Sequence, residues 1–252
     1  MRRTHRLAAV LVHFAGVLSI LWLALAPAQA QNPPVYPSPR LLTIFPPGGK
    51  VGSTVEVTIG GLDLEEATDL YFSHPGFKAA RVRDPDPNKQ GQFVANKFNV
   101  TIAPETPIGI HDVRVIGKYG ISNPRAFVVG DLVEVAEKEP NNDVPQAQKV
   151  DLNTTINGAV NPNTDVDYFS FAGKQGQRVV VSCQASSIDS RLDPQVQLFV
   201  AGNPHPIASN RRYQHRDAVL DAILPTDSEY LVRVVQHTHL VGGPEYFYRL
   251  SV

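Results

Sequence analysis

Short runs of alternating apolar and polar residues, each ended by glycine, proline or asparagine, recur along the chain from residue 41 onwards. Between Ser53 and Ile59, the three residues Val55, Val57 and Ile59 fall on one face, which is the period of a half-buried β-strand. About six such runs precede residue 131 and about eight follow residue 133. The pattern predicts an all-β protein with two tandem antiparallel β-sandwich domains, the second of sandwich or jelly-roll topology.

A different pattern occupies the N-terminus. Three arginines precede an apolar run from Leu7 to Ala26, and the small-residue pattern Ala28-Gln29-Ala30 follows it. This order predicts a secretory signal peptide over residues 1–30. The alternative is a retained membrane anchor, because the run approaches the roughly 20 residues that span a bilayer. His13 and the cleavage pattern favour removal, so we expect a secreted, periplasmic or cell-surface protein with no membrane contact after cleavage.

The remaining chain divides into a spacer and two modules. Prolines predict an extended spacer over residues 31–39. The first domain is then predicted at residues 40–131 and the second at residues 132–252, each large enough to bury a core without disulfides. The chain has one cysteine, Cys183, which lies in a valine-rich run and is predicted to be a buried apolar residue.

Charge and motifs exclude several function classes. Residues 31–132 hold ten basic and ten acidic residues, whereas residues 133–252 hold ten basic and fourteen acidic ones. Without a basic stripe, no nucleic-acid partner is expected. The chain lacks the HExxH, GxSxG and phosphate-loop motifs, which predicts that it is not an enzyme.

Polar side chains concentrate where the two predicted modules meet. The segment from Glu137 to Asp143 holds three carboxylates and two side-chain amides, and Asp165 and Asp167 follow beside an aromatic strand. Oxygen ligands at this density suit calcium (Ca²⁺). The alternative is that Glu139 and Asn142 cap a turn while Asp167 accepts backbone hydrogen bonds at a strand start.

The first half contains an ordered series of short motifs, namely Ile44-x-Pro46, Gly60-Gly61-Leu62, Pro107-x-Gly109, His111-x-Val113-x-Val115, Gly120-x-Ser122-x-Pro124 and Phe127-x-Val129. In this order of motifs it resembles the immunoglobulin-like TIG (IPT) modules of bacterial surface and secreted proteins. The resemblance implies an immunoglobulin-like sandwich that acts as a spacer or recognition module, with no active site.

The second half contains a second ordered series of motifs, namely Glu139-Pro140-Asn141-Asn142, Gly158, Asp165-Val166-Asp167-Tyr168-Phe169, Leu192-Asp193-Pro194, Asp221-x-x-Leu224-Pro225, Tyr230-x-Val232-Arg233-Val234 and Tyr248-x-Leu250. In these motifs it resembles the bacterial pre-peptidase C-terminal domain. This family is a β-sandwich accessory to secreted peptidases and is similar to the collagen-binding modules of clostridial collagenases.

The same resemblance implies a calcium site at the joint between the modules. The matching positions are Glu137, Glu139, Asn141, Asn142 and Asp165 or Asp167. Asn142 stands where the family often has an acid, which removes one charge and is expected to weaken the site.

Two other groups of residues are weaker candidates. His237 and His239 could share a transition metal, but a zinc site needs further ligands, and a loop position is favoured. The cluster Arg211, Arg212, Tyr213, His215 and Arg216 could bind an anionic glycan or a peptide carboxylate, although such runs are more often solvated loops.

These observations favour a secreted, non-catalytic binding or accessory protein that recognises an extracellular protein or polysaccharide. Its second module would be stabilised by calcium, which would fix the angle between the modules. The alternative is an accessory subunit or fragment of an exported peptidase system.

Overall fold

The predicted alternation is realised as strands throughout the part of the chain that the structure describes. The structure is a computed structural model and describes residues 36–252. The predicted signal peptide (residues 1–30) and the start of the predicted spacer lie outside the described residues. Within residues 36–252 there is no α-helix, and hence none that is long and apolar enough to cross a membrane.

The first half forms two sheets from nine strands, namely β1 (Arg40–Phe45), β2 (Gly48–Lys50), β3 (Thr54–Leu62), β4 (Asp69–Phe72), β5 (Phe77–Arg83), β6 (Phe93–Ile102), β7 (Gly109–Gly117), β8 (Gly120–Ile121) and β9 (Arg125–Gly130). One sheet has the order β1-β3-β6-β5 and the other β2-β9-β7-β4, with β8 paired to β7. The chain passes from the first sheet to the second at Pro46. Proline has no backbone N–H, so the hydrogen bonds between β1 and its neighbouring strand end there.

Aromatic side chains from both sheets fill this first sandwich. Phe72 and Phe77 are stacked with their ring centroids 4.4 Å apart, and Phe127 packs edge-on against both rings. Val57 and Ile59 are buried as their alternation predicts. The fold class predicted for this half is therefore the observed one.

The second half forms two further sheets from ten strands, namely β10 (Val133–Ala136), β11 (Gln148–Lys149), β12 (Thr154–Ala159), β13 (Val166–Gly173), β14 (Arg178–Gln184), β15 (Pro194–Val200), β16 (Ala208–Asn210), β17 (Ala218–Ile223), β18 (Ser228–Gln236) and β19 (Phe247–Ser251). The sheet orders are β10-β12-β19-β14-β17 and β11-β13-β18-β15-β16. Three 3₁₀ turns complete the described elements, at Pro87–Lys89, Val144–Gln146 and Ser186–Ile188.

Large side chains on the inner faces of these sheets form the second core. Tyr230 and Tyr248 are fully buried, and the Tyr230 ring is stacked with Phe171 at 5.6 Å. Cys183 is buried in this core, as predicted. The prediction of antiparallel sheets needs one addition, because β2 pairs in parallel with β9, β10 with β12, and β11 with β13.

The two sandwiches pack against each other through a small apolar contact. Ala126 and Val128 point outwards from β9 and are buried with Ile188 and Phe247 of the second half. The backbone N–H of Ala126 also donates to Asp189 Oδ2 at 2.8 Å. Residues 37–252 accordingly form one compact unit. The boundary predicted between residues 131 and 132 falls in the turn between β9 and β10 and stays a prediction.

A buried ion pair lies beside this contact. Arg249 on β19 is 3% exposed, and its guanidinium donates to both oxygens of Glu134 on β10, at 2.6 and 3.0 Å, and to Asn157 Oδ1 at 2.9 Å. The guanidinium also contacts the backbone at Gly48, where an added Cβ would lie 2.5 Å from Arg249 Nη1. The pair therefore joins β10, β12 and β19 and reaches the first sandwich.

We expect Arg249→Ala to lower the free energy of unfolding by about 3–5 kcal/mol, because it leaves the Glu134 carboxylate buried without its cation. Urea unfolding at neutral pH measures this loss. The control is Arg178→Ala, which breaks the solvent-exposed pair with Asp221 and should cause a far smaller change. Equal losses in the two variants would show that the Arg249 pair does not hold the junction.

Candidate metal centre

Two chain segments meet at the edge of the second sandwich, just beyond the end of β10. The backbone N–H of Glu137 donates to Asn157 O at 3.0 Å and so continues the parallel pairing of β10 with β12 by one residue. The loop that follows is held by β13, where the N–H of Tyr168 donates to Asn141 O at 2.9 Å. These contacts bring residues 137–142 against residues 165–168.

The carboxylate of Glu137 lies at the centre of this contact. Its Oε2 accepts the backbone N–H of Ala159 at 2.9 Å. Its Oε1 accepts Asn141 Nδ2 at 3.1 Å and the Tyr248 hydroxyl at 2.6 Å. Glycine at position 158 of β12 leaves room for the side chains of Tyr248 and Glu137. A Cβ at this position would lie 2.5 Å from the Tyr248 ring and 2.9 Å from Glu137 Oε1.

Tyr248 touches a second carboxylate. Its hydroxyl oxygen lies 2.8 Å from Asp167 Oδ2 as well as 2.6 Å from Glu137 Oε1. A hydroxyl has one proton and can donate it to only one of these two acceptors. Burial, followed by the charges of Asp167 and Glu137, raises the pKa of Tyr248, so this proton stays on the hydroxyl. One close oxygen–oxygen contact is thus left without a proton when both carboxyls are ionised.

Two buried oxygen atoms at the same place have no hydrogen-bond donor. They are Oδ1 of Asp167 and Oδ1 of Asn141, and both residues are fully buried. A buried polar atom without a partner costs free energy comparable to a lost hydrogen bond. These atoms therefore have the properties expected of unused ligands.

Negative charge accumulates around these atoms. One carboxylate oxygen of each of Glu137, Glu139 and Asp167 lies within 4.8 Å of the others. Burial and then the charge of Glu137 raise the pKa of Asp167 to about 10, and burial also raises the pKa of Glu137 and of Glu139. Without a cation, Asp167 therefore holds its own proton at neutral pH. A cation would replace this proton and compensate the charge of the ionised carboxylates, and the oxygen-only donor set fits a hard cation such as Ca²⁺.

The structure brings all six predicted metal residues into one region but gives them different contacts. Asn142 Nδ2 donates to Asp165 Oδ1 at 2.8 Å, and Asp165 Oδ2 accepts the N–H of Asn161 at 2.8 Å. Asp165 also accepts the N–H of Val166, so it has the strand-start role that the alternative interpretation gave to Asp167. Asn142 and Asp165 thus support the loop, while the oxygens without partners belong to Asn141 and Asp167.

The capping interpretation also describes part of the loop. The backbone N–H of Asn141 donates to Glu139 Oε2 at 3.0 Å and to Asn142 Oδ1 at 3.1 Å. These bonds hold the turn but use only one oxygen of Glu139. Turn capping and metal binding are therefore compatible at this residue.

Tyr248 is the site residue that the sequence analysis missed. Its ring lies in the core of the second sandwich, but its hydroxyl reaches two carboxylates that lie far away in the sequence. A buried tyrosine hydroxyl needs a hydrogen-bond partner, and this requirement was the available signal.

The arginine cluster has a structural contact that the sequence did not reveal. Arg211 and Arg212 both donate to Asp193 Oδ2 at 2.7 Å. Burial raises the pKa of Asp193, but the two guanidinium groups outweigh it and lower this pKa to about 2. His237 and His239 follow the end of β18 and lie in a loop, as favoured.

Comparison with known proteins finds similar solved structures but no matching family model or curated protein. Among solved structures, it is similar to the pre-peptidase C-terminal domain of collagenase from Bacillus anthracis, with 16% identity, a TM-score of 0.36, and coverage of 46% of this chain and 98% of that domain.

Two further solved structures have comparable values. Aeromonas hydrophila PliG, a periplasmic inhibitor of g-type lysozyme, has 18% identity and a TM-score of 0.30 over 47% of this chain and 90% of its own. Bacteroides ovatus SGBP-B, solved with a mixed-linkage heptasaccharide, has 11% identity and a TM-score of 0.27 over 85% of this chain and 53% of its own. These scores are too low to carry an argument about family or function.

We expect Asp193→Asn to destabilise the protein by roughly 2 kcal/mol at pH 7, because charge-assisted hydrogen bonds to two arginines are lost. The pKa of Asp193 is lowered to about 2, below its unfolded value near 3.9. Its contribution is therefore complete above pH 4 and is lost as the pH falls through 2. Urea unfolding of both proteins between pH 7 and pH 2 measures this difference.

The control for this prediction is Asp221→Asn, which removes a solvent-exposed partner of Arg178 and should change stability much less. A difference between wild type and Asp193→Asn that stays constant down to pH 2 would contradict the assignment to the ionised carboxylate.

Proposed function

We propose that this protein is a secreted, non-catalytic binding module whose second sandwich is stabilised by a bound Ca²⁺ ion. The observation that carries the proposal is the pair of buried, unpartnered oxygens on Asn141 and Asp167, beside two carboxyl groups that both contact one tyrosine hydroxyl. A divalent cation satisfies those oxygens and compensates the charge in one step.

The proposed ligands are the carboxylates of Glu137, Glu139 and Asp167 and the amide oxygen of Asn141. All four supply oxygen, and the cluster contains neither histidine nor cysteine. Calcium accepts six to eight oxygen ligands of variable geometry, whereas magnesium demands a smaller octahedral site and zinc favours nitrogen and sulfur. The donor set thus favours Ca²⁺ over both other ions.

Metal binding would act on the segment that joins the two sandwiches. Glu137 directly follows β10, and β10 carries Glu134, the buried partner of Arg249. Compensating the charge on Glu137 removes repulsion at the end of this strand. In the proposed mechanism, the ion holds β10 on β12 and thereby preserves the ion pair at the junction.

A binding role is supported by the absence of catalytic motifs from the sequence and by the resemblance of the second half to pre-peptidase C-terminal domains. The proposed partner is an extracellular protein or polysaccharide, and the predicted signal peptide supports a secreted, periplasmic or cell-surface location. The same resemblance supports a second candidate, an accessory role beside an exported peptidase, which co-purification of a peptidase with this chain would test.

We expect Ca²⁺ at a hundredfold excess over its Kd to raise the thermal midpoint of the protein by roughly 5 °C or more relative to a chelator. In Asp167→Asn this shift should disappear, because the variant loses a charged ligand. Its midpoint in chelator should be close to that of wild type, because burial raises the pKa of Asp167 to about 10 and this carboxyl is therefore already neutral at pH 7 without a cation. Differential scanning calorimetry of the mature protein measures both effects.

The matched control is Asp131→Asn, which removes one exposed carboxylate from the turn between β9 and β10 and should keep the full calcium shift. Magnesium at the same concentration should give a much smaller shift. Equal thermal midpoints of the wild-type protein in calcium and in chelator would contradict the proposed calcium binding.

A further inference from the structure

A row of polar and aromatic side chains crosses the outer face of the second sandwich. Asp167 and Phe169 point into the protein, so Tyr168 between them lies on the outer face of β13. Tyr168 is the direct cross-strand neighbour of Arg233 on β18, and Arg233 is that of Gln197 on β15. The three residues therefore form one continuous row across the sheet.

A groove of about 380 Å³ runs over this face. Its floor contains Tyr168 and Arg233 from that row and the next cross-strand pair, Leu231 and Phe199. Val144, from the 3₁₀ turn after the candidate metal loop, lines one part of the groove. The turn after β15, Gly202–Pro204, lines another. The groove is thus mainly apolar with one cation.

Arg233 supplies the guanidinium group that lines this groove, and most of its N–H groups have no hydrogen-bond acceptor. Its Nη1 donates to Gln197 Oε1 at 3.1 Å, and its Cζ lies 6.0 Å from the centroid of the Tyr168 ring. Its Nε is buried and has no acceptor, and no ion pair among residues 36–252 includes Arg233. By contrast, Arg249 and Arg211 each pair with a carboxylate.

The lining of the groove distinguishes between two kinds of anionic ligand. A guanidinium binds a carboxylate with two parallel hydrogen bonds, so the ligand should carry a carboxylate. An acidic sugar also carries many hydroxyl groups, each of which needs a hydrogen-bond partner when it is buried. Besides Arg233, the lining offers such side-chain partners only at Asn203 and at the Tyr168 hydroxyl. The other side chains of the lining are apolar, namely Val144, Leu231, Phe199 and Pro204. An apolar peptide side chain next to a carboxylate fits these surfaces better.

We propose that this groove binds an extended peptide segment that presents a carboxylate to Arg233 and a neighbouring apolar side chain to Leu231 and Phe199. The inference rests on the proposed binding function and names its partner class. Gln197 and Tyr168 hold the guanidinium in place, and Val144 couples the groove to the candidate metal loop through the short segment from Asn141.

The test uses the mature protein in calcium and two matched peptides, acetyl-Leu-Asp-Leu-amide and acetyl-Leu-Asn-Leu-amide. Binding is followed by the NMR signals of the Arg233 side-chain Nε–H and the Leu231 methyl groups. The aspartate peptide should bind at least tenfold more tightly than the asparagine peptide, because only the aspartate forms the charge-assisted pair. Arg233→Gln should abolish this preference and keep the thermal midpoint of wild type.

The control is Arg178→Gln, which removes an exposed arginine from a different sheet and should keep the tenfold preference. Equal affinity for the two peptides, or no shift of the Arg233 and Leu231 signals with either, would overturn the inference. Binding of α-1,4-digalacturonate at Arg233 without peptide binding would also overturn it, while the proposed role as a binding module would stand. The comparison of thermal midpoints in calcium and in chelator tests the proposed calcium site separately, and its result does not depend on any of these outcomes.

Discussion

Two buried carboxyl groups that contact the same tyrosine hydroxyl are the constraint on which the candidate metal centre depends. The Tyr248 hydroxyl lies within hydrogen-bond distance of both Glu137 and Asp167, and it can satisfy only one of them. Beside it, Asn141 and Asp167 each bury an oxygen that has no donor. Burying ionised carboxylates without compensation is costly, so this arrangement favours a positive charge at the same point.

The alternation of side chains along a strand connects this point with the rest of the molecule. On β19, Tyr248 points to the carboxylates while the next residue, Arg249, points to Glu134 at the junction of the sandwiches. On β13, Asp167 points inwards while Tyr168 lies on the outer face, in the groove. Adjacent residues on two strands therefore serve the candidate metal centre, the junction and the candidate binding groove.

Local patterns predicted the strands well but not their partners. The alternation of Val55, Val57 and Ile59 gave β3 correctly, whereas β2 and β16 span only three residues each and are too short to carry a period. The three parallel pairings depend on where the chain crosses between sheets, which no local pattern encodes.

The candidate site shows the same division between local and distant information. The density of oxygen side chains between Glu137 and Asp143 predicted the region, because those residues are neighbours in sequence. Both Asp165 and Asp167 are buried, but Asp165 precedes β13 and accepts backbone N–H groups, whereas Asp167 lies within the strand and joins the carboxylate cluster. The sequence left this difference open, because it depends on where β13 begins. The partners of the Tyr248 hydroxyl and the contact of Asp193 with two arginines could not be predicted, since both depend on residues distant in the chain.

The most direct measurement is a crystal structure of the mature protein grown in calcium chloride, with anomalous difference maps collected at long wavelength. The account predicts one strong peak about 2.3–2.6 Å from oxygens of Glu137 and Asp167 and from Asn141 Oδ1. With the ion bound, only one of the two carboxylates should require a hydrogen bond from the Tyr248 hydroxyl. Ordinary water at that position, or a Tyr248 hydroxyl that bridges the two carboxyl groups with no anomalous peak beside it, would contradict the account.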